Sequence, residues 1–453
     1  MSTESAHDEP IDDNQPTAAI NMNANPYVQW FRQSSPYINA HRGKTFVLMF
    51  EGDAITHANF TNVVQDIALL TSLGVRLVLV HGARPQINAA MKKLGIESRF
   101  HRDLRVTDLT ALTAVKAAVG YVKADIESRL SVGLPNSPMH GAHMHVVSGN
   151  LVTARPLGVI DGVDFQHTGE VRRIDHKAIN QLLDGGNIVL LSCLGYSPSG
   201  EIFNLAVEDV AQSTAVSLNA DKLIMMGVEG CLKDVDGSPL KETTCSWLED
   251  NLQQFSGETW HHAEAALRAI RKGVPRAHLL SHRQDGALLQ ELFTREGSGT
   301  LITRDPYDQL RPAQIDDVGG ILKLLKPLED QGILVRRSRE LLETELNRFH
   351  VIERDGMITA CAALYPYSQD SAELACVAVH QEYRGGNRGQ RLLEQIEQEA
   401  RKREYKELFV LTTRTAHWFI EQGFVAGAVD QLPEERQKLY NFQRNSKVFF
   451  KKL

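Results

Sequence analysis

The stretch from Glu373 to Arg403, ELACVAVHQEYRGGNRGQRLLEQIEQEARKR, holds a dense set of residues able to do chemistry. Glu373 is a single carboxylate at the mouth of an apolar run, placed to act as a general base. The turn Arg384-Gly385-Gly386-Asn387-Arg388-Gly389 follows that run and opens a helix. The unpaired N–H groups and the dipole at a helix start make a receptor for phosphate or carboxylate. Cys376 lies in the same run and raises the option of an acyl-thiol intermediate. Its neighbours are apolar and no histidine adjoins it, so direct attack on the acyl donor is the preferred reading.

These residues need a strand, a turn and a helix to hold them. Leu374, Cys376, Ala378 and His380 alternate with Ala375, Val377 and Val379, the period of a strand. Leu392, Leu393, Ile396 and Ala400 share one face of the helix that follows. Arg401, Lys402 and Arg403 close it, where cations suit the negative end of the dipole. Upstream, the pattern predicts a helix over 316–326 ended by Pro327, a helix over 338–347 capped by Ser338, and a hairpin of 349–353 and 357–364 turning at Asp355-Gly356. Downstream come a strand from Leu408 and a helix running to Gly423-Phe424.

This succession resembles the GNAT acetyltransferase superfamily, over residues 311–453. The resemblance implies acetyl-CoA as co-substrate, with Val377 and Val379 along it and its pyrophosphate on Arg384, Gly385, Gly386, Asn387, Arg388 and Gly389. Asn387 stands where the family usually has Gly, a mild departure because Asn tolerates positive φ. Many members protonate the leaving thiolate with a Tyr, but Phe419 occupies that position here. Thr412 takes the place of a hydroxyl implicated in similar synthases and ranks below Glu373 as a catalytic candidate.

The first half has a different organisation. Thr45–Phe50, Val75–Val80, Ile188–Ser192 and Lys222–Met226 are short, continuously apolar runs separated by helical patterns such as Phe60–Leu73 and Val207–Leu218. That is the signature of a parallel sheet covered on both faces. VLVHGARPQI, RVTD at Arg105–Asp108 and VSGN at Val147–Asn150 resemble the amino-acid kinase fold, closest to the N-acetylglutamate kinases. Met49-Phe50-Glu51-Gly52 stands where the family has Lys-x-Gly-Gly in the first phosphate loop, His262 falls on a kinase lysine, and Glu208 on the catalytic aspartate. At about 4 Å and an effective dielectric of about 20, a carboxylate facing a phosphate charge costs about 4 kcal/mol. The first half is therefore expected to bind small molecules without transferring phosphate. In arginine-inhibited relatives of this fold a similar segment holds the effector. The matching positions are His278, Glu291 and Gly297, with Tyr37 in an N-terminal aromatic segment. A carboxylate at Glu291 suits a guanidinium. The aromatic segment Pro26–Ala40 reads equally well as packing on its own domain or on a neighbouring subunit.

The chain of 453 residues is 42% hydrophobic and 23% charged, with a net charge of −7, a soluble composition of two or three domains. No apolar run is long enough for a membrane span, and the N-terminus lacks a signal-like apolar segment. Five scattered cysteines without a C-x-x-C pair fit neither a disulfide framework nor a zinc site, and point to a reducing cytoplasm. No basic run suits nucleic acid. The expected layout is an acidic disordered tail at 1–24, a kinase-like α/β sandwich at 25–303, a linker at 304–310 and an α+β GNAT domain at 311–453.

A kinase-like unit followed by a GNAT unit resembles the bacterial N-acetylglutamate synthase family. That resemblance implies acetyl transfer to the α-amine of L-glutamate, the first step of arginine biosynthesis. It also implies L-arginine as feedback inhibitor, no metal, and a homo-oligomer, a hexamer in the family. The substrate carboxylates would meet Arg336, Arg444 and Ser446, with Cys376 beside them. Another small acidic amino acid is the alternative acceptor. A working kinase, an acetyltransferase acting on basic protein tails and an arginine sensor without catalysis fit less well. The lost lysines oppose the first, the arginines the second, and Glu373 with its anion turn the third.

Overall fold

The computed structural model describes residues 25–131, 140–141, 144–294, 296–305, 308–354, 356–384 and 387–453. The tail 1–24, expected to be disordered, the turn residue Asp355 and the glycines Gly385 and Gly386 lie outside the described residues. The chain divides into two compact units, the division falling between Asp305 and Pro306.

The first unit is built on eight strands: β1 (Thr45–Phe50), β2 (Arg76–His81), β3 (Val146–Val147), β4 (Ile188–Ser192), β5 (Lys222–Gly227), β6 (Glu242–Thr244), β7 (Arg276–Ser281) and β8 (Thr300–Thr303). Their spatial order is β6-β8-β7-β5-β1-β2-β4-β3. The pairings are parallel except that of β7 with β8 near one edge. All of β1 and β5 is buried, as runs without polar alternation require. The covering helices include α1 (Pro26–His41), α2 (Phe60–Ser72), α3 (Arg84–Lys93), α4 (Leu109–Leu130), α5 (Val207–Ser217), α6 (Gly257–Arg271) and α7 (Ala287–Phe293). A separate four-stranded sheet spans parts of 152–204; its strands are short and half-exposed, and leave little pattern in the sequence.

Helix α1 bears out one reading of the aromatic segment, packing on its own domain. Ser34 Oγ donates to Phe293 O at 3.2 Å and His41 Nε2 lies 2.7 Å from Leu292 O, which dock α1 on α7. Tyr37 and Ile38 pack on the core beside them. Tyr27, Trp30 and Phe31 on the remainder are 83%, 48% and 62% exposed.

Burial, followed by the charge of Lys222, pushes His41 down to about 4 from its ordinary 6.5. The unfolded chain therefore takes up a proton near pH 6.5 that the folded chain refuses until about pH 4. Stability from the neutral imidazole is complete above pH 6.5 and is lost as pH falls through 4. The slope is about 1.4 kcal/mol per pH unit. Asp66 and Glu208, pushed up to about 7 chiefly by burial, act in the opposite sense and mask the effect in the whole protein. Urea unfolding of wild type and His41→Gln isolates it: the wild type should lose stability relative to the variant between pH 7 and 4.5. A constant difference across that range would remove His41 as the source.

The second unit holds β9 (Gln309–Pro312), β10 (Phe349–Arg354), β11 (Met357–Pro366), β12 (Ser371–Val379), β13 (Glu407–Thr412), β14 (Val425–Gly427) and β15 (Lys447–Lys452). They form one sheet, ordered β9-β10-β11-β12-β13-β15-β14. Its helices are α8 (Val318–Asp330), α9 (Arg339–Thr344), α10 (Arg388–Lys402), α11 (Ala416–Glu421) and α12 (Glu434–Lys438). Leu392, Leu393, Ile396 and Ala400 of α10 pack on one face of the sheet with Phe419. Ile321, Leu325 and Leu342 from α8 and α9 pack on the other.

Three local expectations change. Helix α8 does not end before Pro327 but runs through it to Asp330, since a proline in the last turn forfeits only one intrahelical bond. Strand β9 starts inside the stretch expected to be linker, and Asp308 before it is buried, binding Arg354 at 3.2 Å and Arg388 at 2.7 Å. Finally, Leu374 and Cys376 do not share a face. Leu374 packs with α10, whereas Cys376 and Ala378 pack with α8 and α9. The β11–β12 register shifts there, and Cys376 has a φ of 52°. A bulge with one extra residue reverses the alternation beyond it.

Candidate functional sites

The other edge of β12 is only partly paired. That strand pairs with β13 only over Ser371–Glu373, in parallel register with Glu407–Phe409. Beyond Glu373 the two strands part, while β13 stays paired to β15 through Thr412. The segment Leu374–Val379, with Val377 and Val379 half-buried, thus turns an unladdered edge toward the opening. Glu373 stands at the apex of the split and is buried. Thr412 is at the far end of the facing strand, its Oγ1 2.9 Å from Thr415 Oγ1.

Glu373 is not alone. Arg436 of α12 grips it with both arms, Nε to Oε2 at 2.7 Å and Nη2 to Oε1 at 3.2 Å. Burial alone would lower Arg436, but the paired carboxylate raises it above its ordinary value. Tyr367 is raised first by burial, then by the Glu373 charge, to which its hydroxyl also hydrogen-bonds. Arg337 donates from Nε to Cys376 Sγ at 3.1 Å and from Nη1 to Glu345 at 3.1 Å. Arg444 donates to Ile333 O, and its Nε is buried without a hydrogen-bond partner. Burial lowers Arg444, and the nearby Arg436 adds to that. Ser446 is buried just beyond it, its carbonyl accepting from Tyr440 at 2.7 Å. Arg436 is paired with Glu373 and Arg337 with Glu345, while Arg444 has no carboxylate partner among the described residues, which leaves capacity for an anionic substrate.

Sequence reasoning found part of this set. Arg336 is exposed and has no hydrogen bond or ion pair among the described residues, whereas its neighbour Arg337, which the sequence does not single out, turns into the site. Arg436 was missed because Glu434-Glu435-Arg436 reads as an ordinary surface turn. Only the fold brings it to Glu373. Burial pushes the Cys376 thiol up to about 11, which suits the reading that it does not form an acyl intermediate. Phe419 is a core residue, so its position holds no proton donor.

At the turn, Asn387 has a φ of −62°, so it needs no tolerance of positive φ. The first N–H groups of α10, from Arg388 and Gly389 onward, have no intrahelical acceptor. Arg384 is exposed, but Arg388 is committed: its Nε lies 2.7 Å from Asp308 and its guanidinium stacks on Tyr383 at 5.0 Å. The backbone and Arg384 are the groups there that remain uncommitted among the described residues. Gly385 and Gly386 lie outside the described residues.

In the first unit the structure brings His278, Glu291 and Gly297 together. His278 Nδ1 lies 2.7 Å from Glu291 Oε1, and Lys222 Nζ 3.4 Å from His278 Nε2. Ser298 N and Gly299 N donate to Glu291 Oε2 at 2.7 and 3.0 Å. Burial would raise Glu291, yet the imidazole and backbone donors bring it down to about 2. Burial and then Lys222 lower His278, so a neutral imidazole donates through Nδ1–H. Gly297 has a φ of 63°, and a Cβ there would meet Glu291 Oε2 at 2.4 Å. Tyr37 lies on the same helix as the residues that dock α1 on α7, its ring 6.3 Å from that of His41. All five cysteines are free, and among the described residues no helix is long and apolar enough to cross a membrane.

Comparison with known proteins gives the same division of the chain. Residues 44–281 match the amino acid kinase family and residues 345–426 the acetyltransferase (GNAT) domain. The chain is similar to an amino-acid acetyltransferase of Pseudomonas syringae pv. tomato, 56% identical over 94% of this chain and 99% of the relative. A Pseudomonas aeruginosa amino-acid acetyltransferase is also 56% identical over the same shares. Among solved structures, the chain is similar to the N-acetylglutamate synthase of Neisseria gonorrhoeae complexed with coenzyme A and L-arginine. The two are 37% identical with a TM-score of 0.85, over 95% of this chain and 100% of that one. The same enzyme complexed with coenzyme A and N-acetyl-glutamate gives a TM-score of 0.62 at 38% identity.

Proposed function

The chain belongs to the amino-acid acetyltransferases, and on that premise we propose that it moves the acetyl group of acetyl-CoA to the α-amine of L-glutamate. The observation that carries this reading is the parting of β12 and β13 after Glu373, with a carboxylate at the apex and arginines around it. Acetyl-CoA lies along the free edge of Leu374–Val379 with its pyrophosphate at the start of α10. The glutamate ammonium loses a proton to Glu373, directly or through water. The amine then attacks the thioester carbon; the C–N bond forms, the nitrogen releases its second proton to solvent, the C–S bond breaks, and the thiolate leaves with a proton from solvent or a hydroxyl. Thr412 is the candidate hydroxyl on β13. The ion pair with Arg436 orients Glu373 for this task.

Arg336 and Arg444 receive the two carboxylates of glutamate, with Ser446 beside Arg444. Charge-assisted contacts of this kind are worth about 1.5–3 kcal/mol each. Replacing either arginine by Ala should raise KM for glutamate far more than KM for acetyl-CoA. Steady-state kinetics with each substrate varied separately reads the split; equal changes in both constants would assign these residues to the fold. Aspartate in place of glutamate tests the alternative acceptor.

The reaction is the first step of arginine biosynthesis, with arginine acting as inhibitor through the first unit. Support for a kinase-like unit without kinase activity is Glu51 in the first phosphate loop, with His262 in place of a kinase lysine and Glu208 in place of the catalytic aspartate. Support for the effector site is the His278–Glu291–Gly297 cluster under α1. The exposed aromatic face of Tyr27, Trp30 and Phe31 supports a homo-oligomer in which a second copy covers it, a hexamer as in the family.

A further inference from the structure

We propose that Glu51, Glu208 and His262 form a binding site for one divalent transition-metal ion, zinc fitting best. The site is in the first unit and is independent of the acetyl-transfer reading. Its residues come from separate elements: Glu51 follows β1, Glu208 is in the first turn of α5, and His262 is within α6. One ligand atom from each lies within 4.8 Å of the other two. His262 Nε2 and Glu51 Oε1 are 3.6 Å apart. Two ligands each about 2.0–2.1 Å from one tetrahedral zinc are about 3.4 Å from one another. The separation suits a shared ion and is too long for a hydrogen bond.

A second observation points to a ligand. The His262 side chain is 4% exposed, and its Nε2, the atom facing Glu51, has no hydrogen-bond partner. The ring cannot easily turn away, because its Nδ1 edge lies against Gly227, where a Cβ would come within 3.0 Å of it. Two half-buried carboxylates beside one imidazole gather negative charge that their surroundings make costly. A divalent ion cancels it. Glu258 cannot take that role as a counter-group: it is a third carboxylate, and its Oε1 already accepts Val228 N at 2.7 Å. Glu51 and Glu208 line a cavity of ≈ 230 Å³ together with Cys193, Asn204 and Arg105, with room for the water that completes a coordination sphere.

The donor set selects the metal. Magnesium and calcium prefer six or more oxygen ligands, and an imidazole with two carboxylates falls short of that. Mixed nitrogen and oxygen donors at tetrahedral spacing suit zinc, with cobalt(II) as its spectroscopic stand-in.

The test uses the full chain, freed of metal by chelation and titrated with zinc chloride by calorimetry, and with cobalt(II) by visible absorption. Wild type should bind one more zinc equivalent than His262→Ala or Glu51→Gln, and cobalt should give the intense bands of a four-coordinate site. Loss of one ligand should weaken that equivalent at least tenfold. Equal stoichiometry in wild type and both variants overturns the proposal. If either variant is unfolded by circular dichroism, the wild-type cobalt spectrum decides: only weak six-coordinate bands, or no binding, overturns it.

Discussion

Glu373→Gln should lower kcat by about 10²–10⁴ while leaving the affinity for acetyl-CoA nearly unchanged. The substitution keeps shape and one acceptor for Arg436 but removes the group that receives the ammonium proton. Because Glu373 binds Arg436 through both oxygens, a structural role must be told apart from a chemical one. Two measurements do this. A base confers a pH dependence on kcat/KM that the Gln variant lacks, and an oriented carboxylate is compromised when its clamp is shortened. Arg436→Lys keeps the charge but loses the bidentate geometry, so it should reduce kcat less than Glu373→Gln does. Near-normal turnover in Glu373→Gln would falsify the assignment of Glu373 as the base.

Glu291→Ala should abolish the arginine response and also weaken the first unit. The carboxylate serves His278 Nδ1–H, Ser298 N and Gly299 N at once, and each buried donor left without an acceptor costs about 1–3 kcal/mol. Glu291→Gln and Gly297→Ala therefore accompany it. Gln restores part of the acceptor capacity, while Ala at 297 presses a methyl against Glu291 Oε2 at a φ of 63°. Isothermal titration of arginine into the wild type and these variants gives the affinities. A coupling of about 1–3 kcal/mol between arginine and substrates is expected, and it must be reciprocal: substrates weaken arginine binding by the factor that arginine weakens theirs. If arginine binds all four proteins alike, the effector site is elsewhere.

The kinase-like region and the acetyltransferase region were legible because each has a local signature. Residues Thr45–Phe50 and Ile188–Ser192 read as buried strands since no polar side chain interrupts them. The helix after the Arg384–Gly389 turn read correctly because its apolar residues recur at 3.6. Glu373 could be singled out as the lone carboxylate at a strand mouth. Such signals survive in sequence because they report how one segment faces its immediate surroundings.

What the sequence did not determine depends on which distant segments meet. The bulge at Cys376 is invisible to an alternation count, yet it turns Cys376 away from Leu374 and lies on the strand whose far edge parts from β13. Arg436 clamps Glu373, and Asp308 gathers Arg354 and Arg388, from positions whose neighbours look like ordinary surface. Glu51, Glu208 and His262 show no ligand spacing because their proximity is set by three elements meeting beyond the end of the interior strand β1. A side chain's type and its local period are properties of the chain; its partner, its desolvation and its protonation are properties of the tertiary structure, since charge interactions act through space at a few ångströms regardless of separation in sequence.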